Sequence, residues 1–170
     1  MSPAEPSAGA ARGSPRMAAA ALALAVVVIV VDQLVKLWAV GALGWEQGSS
    51  IPLAGPLRLT MVHNTGVSYG LFRASADWMR WALVVFSIGV AGMLAVWARR
   101  ADRWLMALGL GLVIGGALGN AIDRARLGWG IDFIDVSQLH FPWVFNVADS
   151  AITVGVILLL LDSVRKDRTA

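Results

Sequence analysis

Four stretches of the chain are apolar almost without interruption: about Met17 to Trp38, Trp78 to Ala98, Trp104 to Ile122 and Val144 to Leu161. Each is close to the ~20 residues a helix needs to cross a bilayer. In lipid only a helix or a closed barrel satisfies its own backbone. The pattern predicts an all-α membrane protein with four transmembrane helices. The first stretch follows Arg12 and Arg16, as in a signal peptide. Its helical pattern nonetheless continues through "DQLVKLWAV" with no clear small-residue cleavage site, so a retained helix is expected. Residues 1–16, rich in Ala, Ser, Pro and Gly, read as a disordered tail, and 165–170 as a short second tail. A single membrane domain, 17–164, lies between them.

Two longer segments, about 41–77 and 123–143, separate the spans. In "PLRLTMVHNTGVSYGLF", Leu57, Leu59 and Met61 alternate with Arg58 and Thr60, and Val62, Val67 and Tyr69 follow. Period-two alternation favours strands, with Gly66 and Gly70 at bends. A small β-sheet resting on the helix ends is the expectation.

Composition narrows the class. Of 170 residues, 58% are hydrophobic, only 15% are charged and none is cysteine. Disulfides, thiol catalysis and cysteine metal sites are excluded. The net charge of +3 does not point to nucleic acid, because the basic residues flank the apolar runs. Eight of the fourteen Lys and Arg are Arg12, Arg16, Arg99, Arg100, Arg103, Arg165, Lys166 and Arg168. They would share one side, which the positive-inside rule makes cytoplasmic. Both termini are then inside, and the segments 41–77 and 123–143 outside.

The exceptions to apolarity are where chemistry is to be sought. Asp149 stands about one turn inside the fourth run, and an Asp at the centre of a span costs roughly 2.5 to 3.5 kcal/mol. Asp32 and Lys36, four apart, share a helix face, as do Asn120 and Asp123, followed by Arg124, and Asn146 and Asp149. The plain structural readings are an ion pair for the first and interhelical hydrogen bonds for the others. Asp132 and Asp135, in "GWGIDFIDV", read singly as solvated loop carboxylates. Taken together, these carboxylates all fall at one level of the membrane. Two of them close together near lipid cannot both ionise cheaply, so a pair would share a proton. That suits aspartic protease chemistry, in which one carboxylate takes a proton from water and the other gives one to the peptide carbonyl. His63 and His140 have no HExxH context, and there is no GxSxG motif, so zinc and serine chemistry are disfavoured. The spacing alone does not choose between Asp123 and Asp132 as the partner of Asp149.

The chain resembles lipoprotein signal peptidase (signal peptidase II), the bacterial intramembrane aspartyl protease family, from about Met17 to Leu161. The motifs are "DQLVK" (32–36), "HNTGVSYGLF" (63–72), "GGALGNAIDRARLGWGIDFIDV" (115–136) and "FNVADSAITVG" (145–155). The resemblance implies a catalytic dyad of Asp132 and Asp149. It implies supporting or substrate-binding roles for Asp32, Lys36, Asn64, Gly66, Asn120, Asp123, Arg124 and Asn146, with Asp123 orienting Arg124 and the loop. The implied substrate is a prolipoprotein whose Cys already carries a diacylglyceryl group, cut just before that Cys. The implied inhibitor is globomycin, and no cofactor or metal is implied. A monomer in the bacterial inner membrane, surrounded by lipid and with its active site near the outer face, is expected. Where many members read N-x-G-A-A-F, this chain reads Val67, Ser68 and Tyr69 after Gly66. Intramembrane Asp, Asn and Lys also mark ion paths, so a small proton- or ion-coupled transporter is the alternative, and a non-catalytic assembly protein a third reading.

Overall fold

A computed structural model of the protein describes residues 13–66, 76–139 and 143–167. The motif positions Val67, Ser68, Tyr69 and Gly70, His140, and the tail residues 1–12 lie outside the described residues.

The four apolar runs are helices: α1 Pro15–Leu43, α2 Ala76–Ala98, α3 Trp104–Leu127 and α4 Val147–Asp167. All four are long and apolar enough to span a membrane. Their bounds depart from the hydropathy pattern for local reasons. α1 starts at Pro15, inside the segment expected to be tail, because proline suits the first helical position after Ser14. With 29 residues it extends about 44 Å at 1.5 Å per residue, longer than a span requires. Its last turns, with Ala39 and Leu43 buried, carry the sheet. α3 continues past Ile122 because the charge of Asp123 is buried and paired there. Gly128 ends it at φ +90°, its N–H donating to the carbonyl of Arg124. α4 begins at Val147 rather than Val144.

The reason is a four-stranded antiparallel sheet: β1 Ser50–Pro52, β2 Arg58–Asn64, β3 Gly130–Asp135 and β4 Val144–Phe145, in that spatial order. Val144 and Phe145 pair with Asp135 and Ile134. The alternation in β2 is real, with Leu59 and Met61 buried. These two join Ile131 and Phe133 of β3 and Ala39 and Leu43 of α1 in one apolar cluster, so the sheet is seated on the end of α1. β3 was not visible in the pattern, because nearly every residue of "GIDFID" is buried and no polar face marks its period.

α3 is the central helix. It touches each of the other three and is buried over most of its apolar length, while the others turn most of theirs outward. Glycine makes this approach possible. A Cβ on Gly116 would collide with the carbonyl of Ala148 in α4, and one on Gly119 would lie 2.7 Å from Oδ2 of Asp32 in α1. Both contacts sit at the end of the bundle beneath the sheet.

Candidate active site

The site begins at the N-terminus of α4. The first N–H groups of a helix lack intrahelical acceptors. Here Asn146 is the residue before the helix, and its Oδ1 accepts from the N–H of Asp149 at 2.9 Å. Asp149 reaches back to accept from the N–H of Asn146 at 3.2 Å. This is a capping box, with Asp in place of the usual Glu. A third first-turn donor, the N–H of Ala148, goes to Oδ1 of Asp32 on α1 at 2.9 Å. Asp149 therefore stands where the helix dipole favours negative charge.

Beside it lies a buried ionic cluster. The Lys36 ammonium, 1% exposed, contacts Oδ2 of Asp32 at 2.7 Å and Oδ2 of Asp123 at 2.5 Å. Gln33, which carried no signal in the sequence, donates to Oδ1 of Asp123 at 2.9 Å. The other Asp123 oxygen receives the N–H of Ile131 at 3.4 Å. Asp123 thus ties α1 to β3, one residue before Asp132. Of the expectation that Asp123 orients Arg124 and the loop, this corrects the Arg124 part: Asp123 meets the loop through the N–H of Ile131. The Arg124 guanidinium instead donates to the backbone carbonyl of Asn120 at 3.3 Å.

Asp132 enters from β3, 2% exposed. One oxygen accepts from Nδ2 of Asn64 at 2.9 Å, the other from Nδ2 of Asn146 at 2.7 Å. The amide of Asn64 is itself oriented, since its Oδ1 accepts from the N–H of Gly66 at 2.8 Å. Gly66 has φ +77°, a conformation that favours glycine, and a Cβ there would also meet Leu83 at 2.6 Å. Nδ2 of Asn120 donates to Oδ1 of Asp149 at 2.7 Å, and Oδ1 of Asn120 lies 3.1 Å from Nδ2 of Asn146. Two asparagines, Asn120 and Asn146, so link Asp132 and Asp149 into one network. Burial raises the Asp132 carboxyl, and the charge of Asp149 raises it further; donation from Asn64 and Asn146 opposes this, leaving it at about 6. Asp135, three residues on, behaves otherwise. Burial pulls it up, but hydrogen bonds from Ser137 and Thr60 prevail and hold it below its ordinary value.

Every site residue expected from the sequence lies in or against this network. Two apolar grooves reach it. One, of about 540 Å³, runs along the first turns of α4 past Asp149, Thr153 and Val154 and under Trp143. The other, of about 300 Å³, lies between α2 and α3 and is lined by Leu83, Phe86 and Val113, with Asn120 and Arg124 at one end. A buried polar residue the sequence did not flag, Asp162, sits at the opposite end of the bundle and pairs with Arg103 at 3.0 Å.

Known proteins resemble the chain closely. A family model described as "Signal peptidase (SPase) II" matches residues 24–165. The lipoprotein signal peptidase of Caulobacter vibrioides is 61% identical over 144 residues, covering 84% of this chain and 85% of that one. The lipoprotein signal peptidase of Methylorubrum extorquens is 44% identical over 144 residues, 81% of each chain. A solved structure, "Bacterial membrane enzyme structure by the in meso method at 2.3 A resolution", superimposes with a TM-score of 0.72 at 26% identity over 92% of each chain.

Proposed function

The chain belongs to the signal peptidase II family, and from that membership we propose that it is an aspartic endopeptidase of the bacterial inner membrane, removing the signal peptide from diacylglyceryl-modified prolipoproteins. The observation that carries the aspartic reading is the shared network: Asp132 and Asp149, from two elements, are joined through Asn120 and Asn146, and the charge of one raises the other. Near pH 6 and below, Asp132 holds a proton. Asp149, which accepts hydrogen bonds at both oxygens, is the base.

The reaction balances with these two groups. Water gives a proton to Asp149 as its oxygen bonds to the scissile carbonyl carbon. Asp132 gives its proton to the carbonyl oxygen. When the tetrahedral adduct collapses, the C–N bond breaks, Asp149 passes its proton to the departing nitrogen of the lipidated Cys, and Asp132 recovers one from the hydroxyl. Both grooves are apolar, one meeting Asp149 and the other ending at Asn120 and Arg124, which suits acyl chains and a signal-peptide helix arriving from the bilayer. The polar cluster is completed by residues of one chain, which favours a monomer in lipid. The membrane domain proposed for 17–164 falls within a bundle whose first helix starts at Pro15 and whose last ends at Asp167, and globomycin, the inhibitor implied by the family resemblance, would bind at the carboxylate network. Arg16, Arg99, Arg100, Arg103 and Arg165 gather at the end opposite the sheet, which supports cytoplasmic termini and an active site toward the outer face.

No transport reading is retained: the matching family and relatives are peptidases. The test is substitution by Asn, which keeps the shape of Asp but cannot ionise. Asp132→Asn and Asp149→Asn should each abolish cleavage of a lipidated prolipoprotein, while the variants still fold and bind globomycin. The double variant should lose little more, since members of a catalytic unit are not additive. Asp135→Asn is the control and keeps most activity. Normal turnover by Asp132→Asn, with loss in Asp123→Asn, would reassign the dyad.

A further inference from the structure

Lys36 lies on α1, away from both grooves, yet it is one side chain removed from Asp149. An ammonium has three donors and no acceptor. Three acceptors meet this one: Oδ2 of Asp32 at 2.7 Å, Oδ2 of Asp123 at 2.5 Å and Oδ1 of Asn120 at 3.3 Å. Two carboxylates are ordinary company for a buried cation. The third partner is a neutral amide, and its chemistry is directional. An Asn side chain can turn either its oxygen or its NH₂ to a neighbour. Facing an ammonium it must present the oxygen. Nδ2 of Asn146, 3.1 Å from the same atom, reinforces that orientation. With the oxygen committed, Nδ2 of Asn120 points the other way and donates to Asp149 at 2.7 Å.

We propose that Lys36 is a positioning residue for cleavage: acting through the Asn120 amide, its ammonium keeps an N–H donor aimed at Asp149. The inference rests on the dyad reading above. The charged and titratable groups that face this relay are Asp32 on α1, Asp123 and Arg124 on α3, Asp132 on β3 and Asp149 on α4. Among the described residues Arg124 donates to the backbone carbonyl of Asn120 and not to its side chain, so Lys36 is the cation in contact with the amide. Without it only Nδ2 of Asn146 still donates to that oxygen, and the less firmly held amide can set its oxygen against the carboxylate. A carboxylate facing an acceptor binds a proton more readily. Asp149 must be unprotonated to activate water, so the acid limb of the activity profile moves to higher pH. The positive charge of Lys36 also lowers the proton affinity of Asp132, so its loss moves the alkaline limb in the same direction.

The experiment measures cleavage of a diacylglyceryl-modified prolipoprotein by the full chain from about pH 3 to about pH 8, a window that holds an alkaline limb near the Asp132 value and an acid limb below it. Lys36→Met should displace the kcat profile upward by about one pH unit, at the low end of what a lost hydrogen bond or nearby charge does to a carboxyl, with KM unchanged. Lys36→Arg should restore the wild-type profile. Asp32→Asn/Lys36→Met, which removes the ammonium together with one carboxylate it neutralises, should show the same displacement with less cost to folding. Asn120→Ala should reproduce the displacement of the acid limb without touching Lys36, and Lys36→Met should add nothing to that limb, its further effect falling on the alkaline limb alone. An unmoved profile in Asn120→Ala, or in either folded variant lacking the ammonium, overturns the proposal and leaves Lys36 a structural ion pair. Additive displacement of the acid limb overturns the route through Asn120. Wild type and Asp132→Asn run alongside: cleavage by Asp132→Asn, or none by wild type, would instead defeat the dyad reading.

Discussion

Replacing Asp132 by Asn should make the protein's stability less sensitive to pH, and the size of the effect follows from the site. In the folded protein this carboxyl is pushed up to about 6 by burial and by the charge of Asp149, against roughly 3.9 in an unfolded chain. A group whose native value is raised binds more protons when folded. Stability is therefore present at low pH and lost as pH rises through the window from about 4 to about 6. A difference of about two units corresponds to about 3 kcal/mol at most, at ~1.4 kcal/mol per unit. Asn cannot ionise, so the variant is spared that loss. It carries a different cost. One side of the new amide sets an NH₂ against Nδ2 of Asn64 or of Asn146, both of which donate to Asp132. A donor facing a donor costs about 1–3 kcal/mol, but at every pH alike. The informative quantity is therefore the change in the variant-minus-wild-type difference between about pH 4 and about pH 7, over which the linkage acts. It should be positive and about 1–3 kcal/mol. For a chain of this length that is several degrees in melting temperature, at roughly 2–4 °C per kcal/mol. Thermal unfolding in detergent, followed by the fluorescence of the eight tryptophans, reads it directly. Asp149→Asn removes one of the two causes and should shrink the wild-type pH dependence without erasing it. A difference that is flat with pH, or that falls as pH rises, would refute the account of a carboxyl held proton-rich by burial and by its neighbour.

Gly116→Val should lower stability by about 1–3 kcal/mol and cut activity with it, because the new side chain collides with the carbonyl of Ala148 and with Ile152 and pushes the start of α4 from α3; a wild-type melting curve would count against that close contact. Reporter fusions after Leu105 should read cytoplasmic and fusions near Gly130 external; the opposite pattern would invert the orientation and place the carboxylates at the inner face.

The spans were legible because lipid imposes one solution on long apolar runs. Their ends were not, because other contacts decide them. Ala39 and Leu43 extend α1 to seat the sheet, and Lys36 neutralises Asp123 so that α3 continues beyond it. β2 was legible from its alternation. β3 was hidden because it is covered on both faces, which removes the polar phase that reveals a strand. Of the site, the i, i+3 pairs Asn120–Asp123 and Asn146–Asp149 and the i, i+4 pair Asp32–Lys36 could be placed on shared faces by spacing. Their partners could not. Whether Asp123 or Asp132 joins Asp149 depends on the turn at Gly128 and on strand pairing, which span half the chain. The resemblance to a known family made that choice, and Asn64 and Gly66 entered by the same route. Gln33 had no signal, because a glutamine one residue from an Asp looks like any polar residue near a span end.

The division of α3 explains how one small bundle holds so many costly groups. From Met106 to Gly116 its buried residues are Met, Ala, Leu, Val, Ile and Gly only. The facing positions on α1, Ala21, Ala25 and Val28, are equally apolar. That half is apolar and closely packed, and among the described residues its facing positions on α1 and α3 give a proton or ion no ladder of polar groups to follow. In the next two turns the same face carries Gly119, Asn120 and Asp123, against Asp32 and Lys36 on α1 and the capped start of α4. Each carboxylate there has a donor from a different element: Asp32 from α4, Asp123 from α1 and β3, Asp132 from β2, and Asp149 from α3. No element supplies all of its own polar partners, so the cost of burying the charges is fully offset only when all of them have assembled. The same interdependence that makes the carboxylates tolerable near lipid also fixes the distance and orientation that the proposed acid–base chemistry needs.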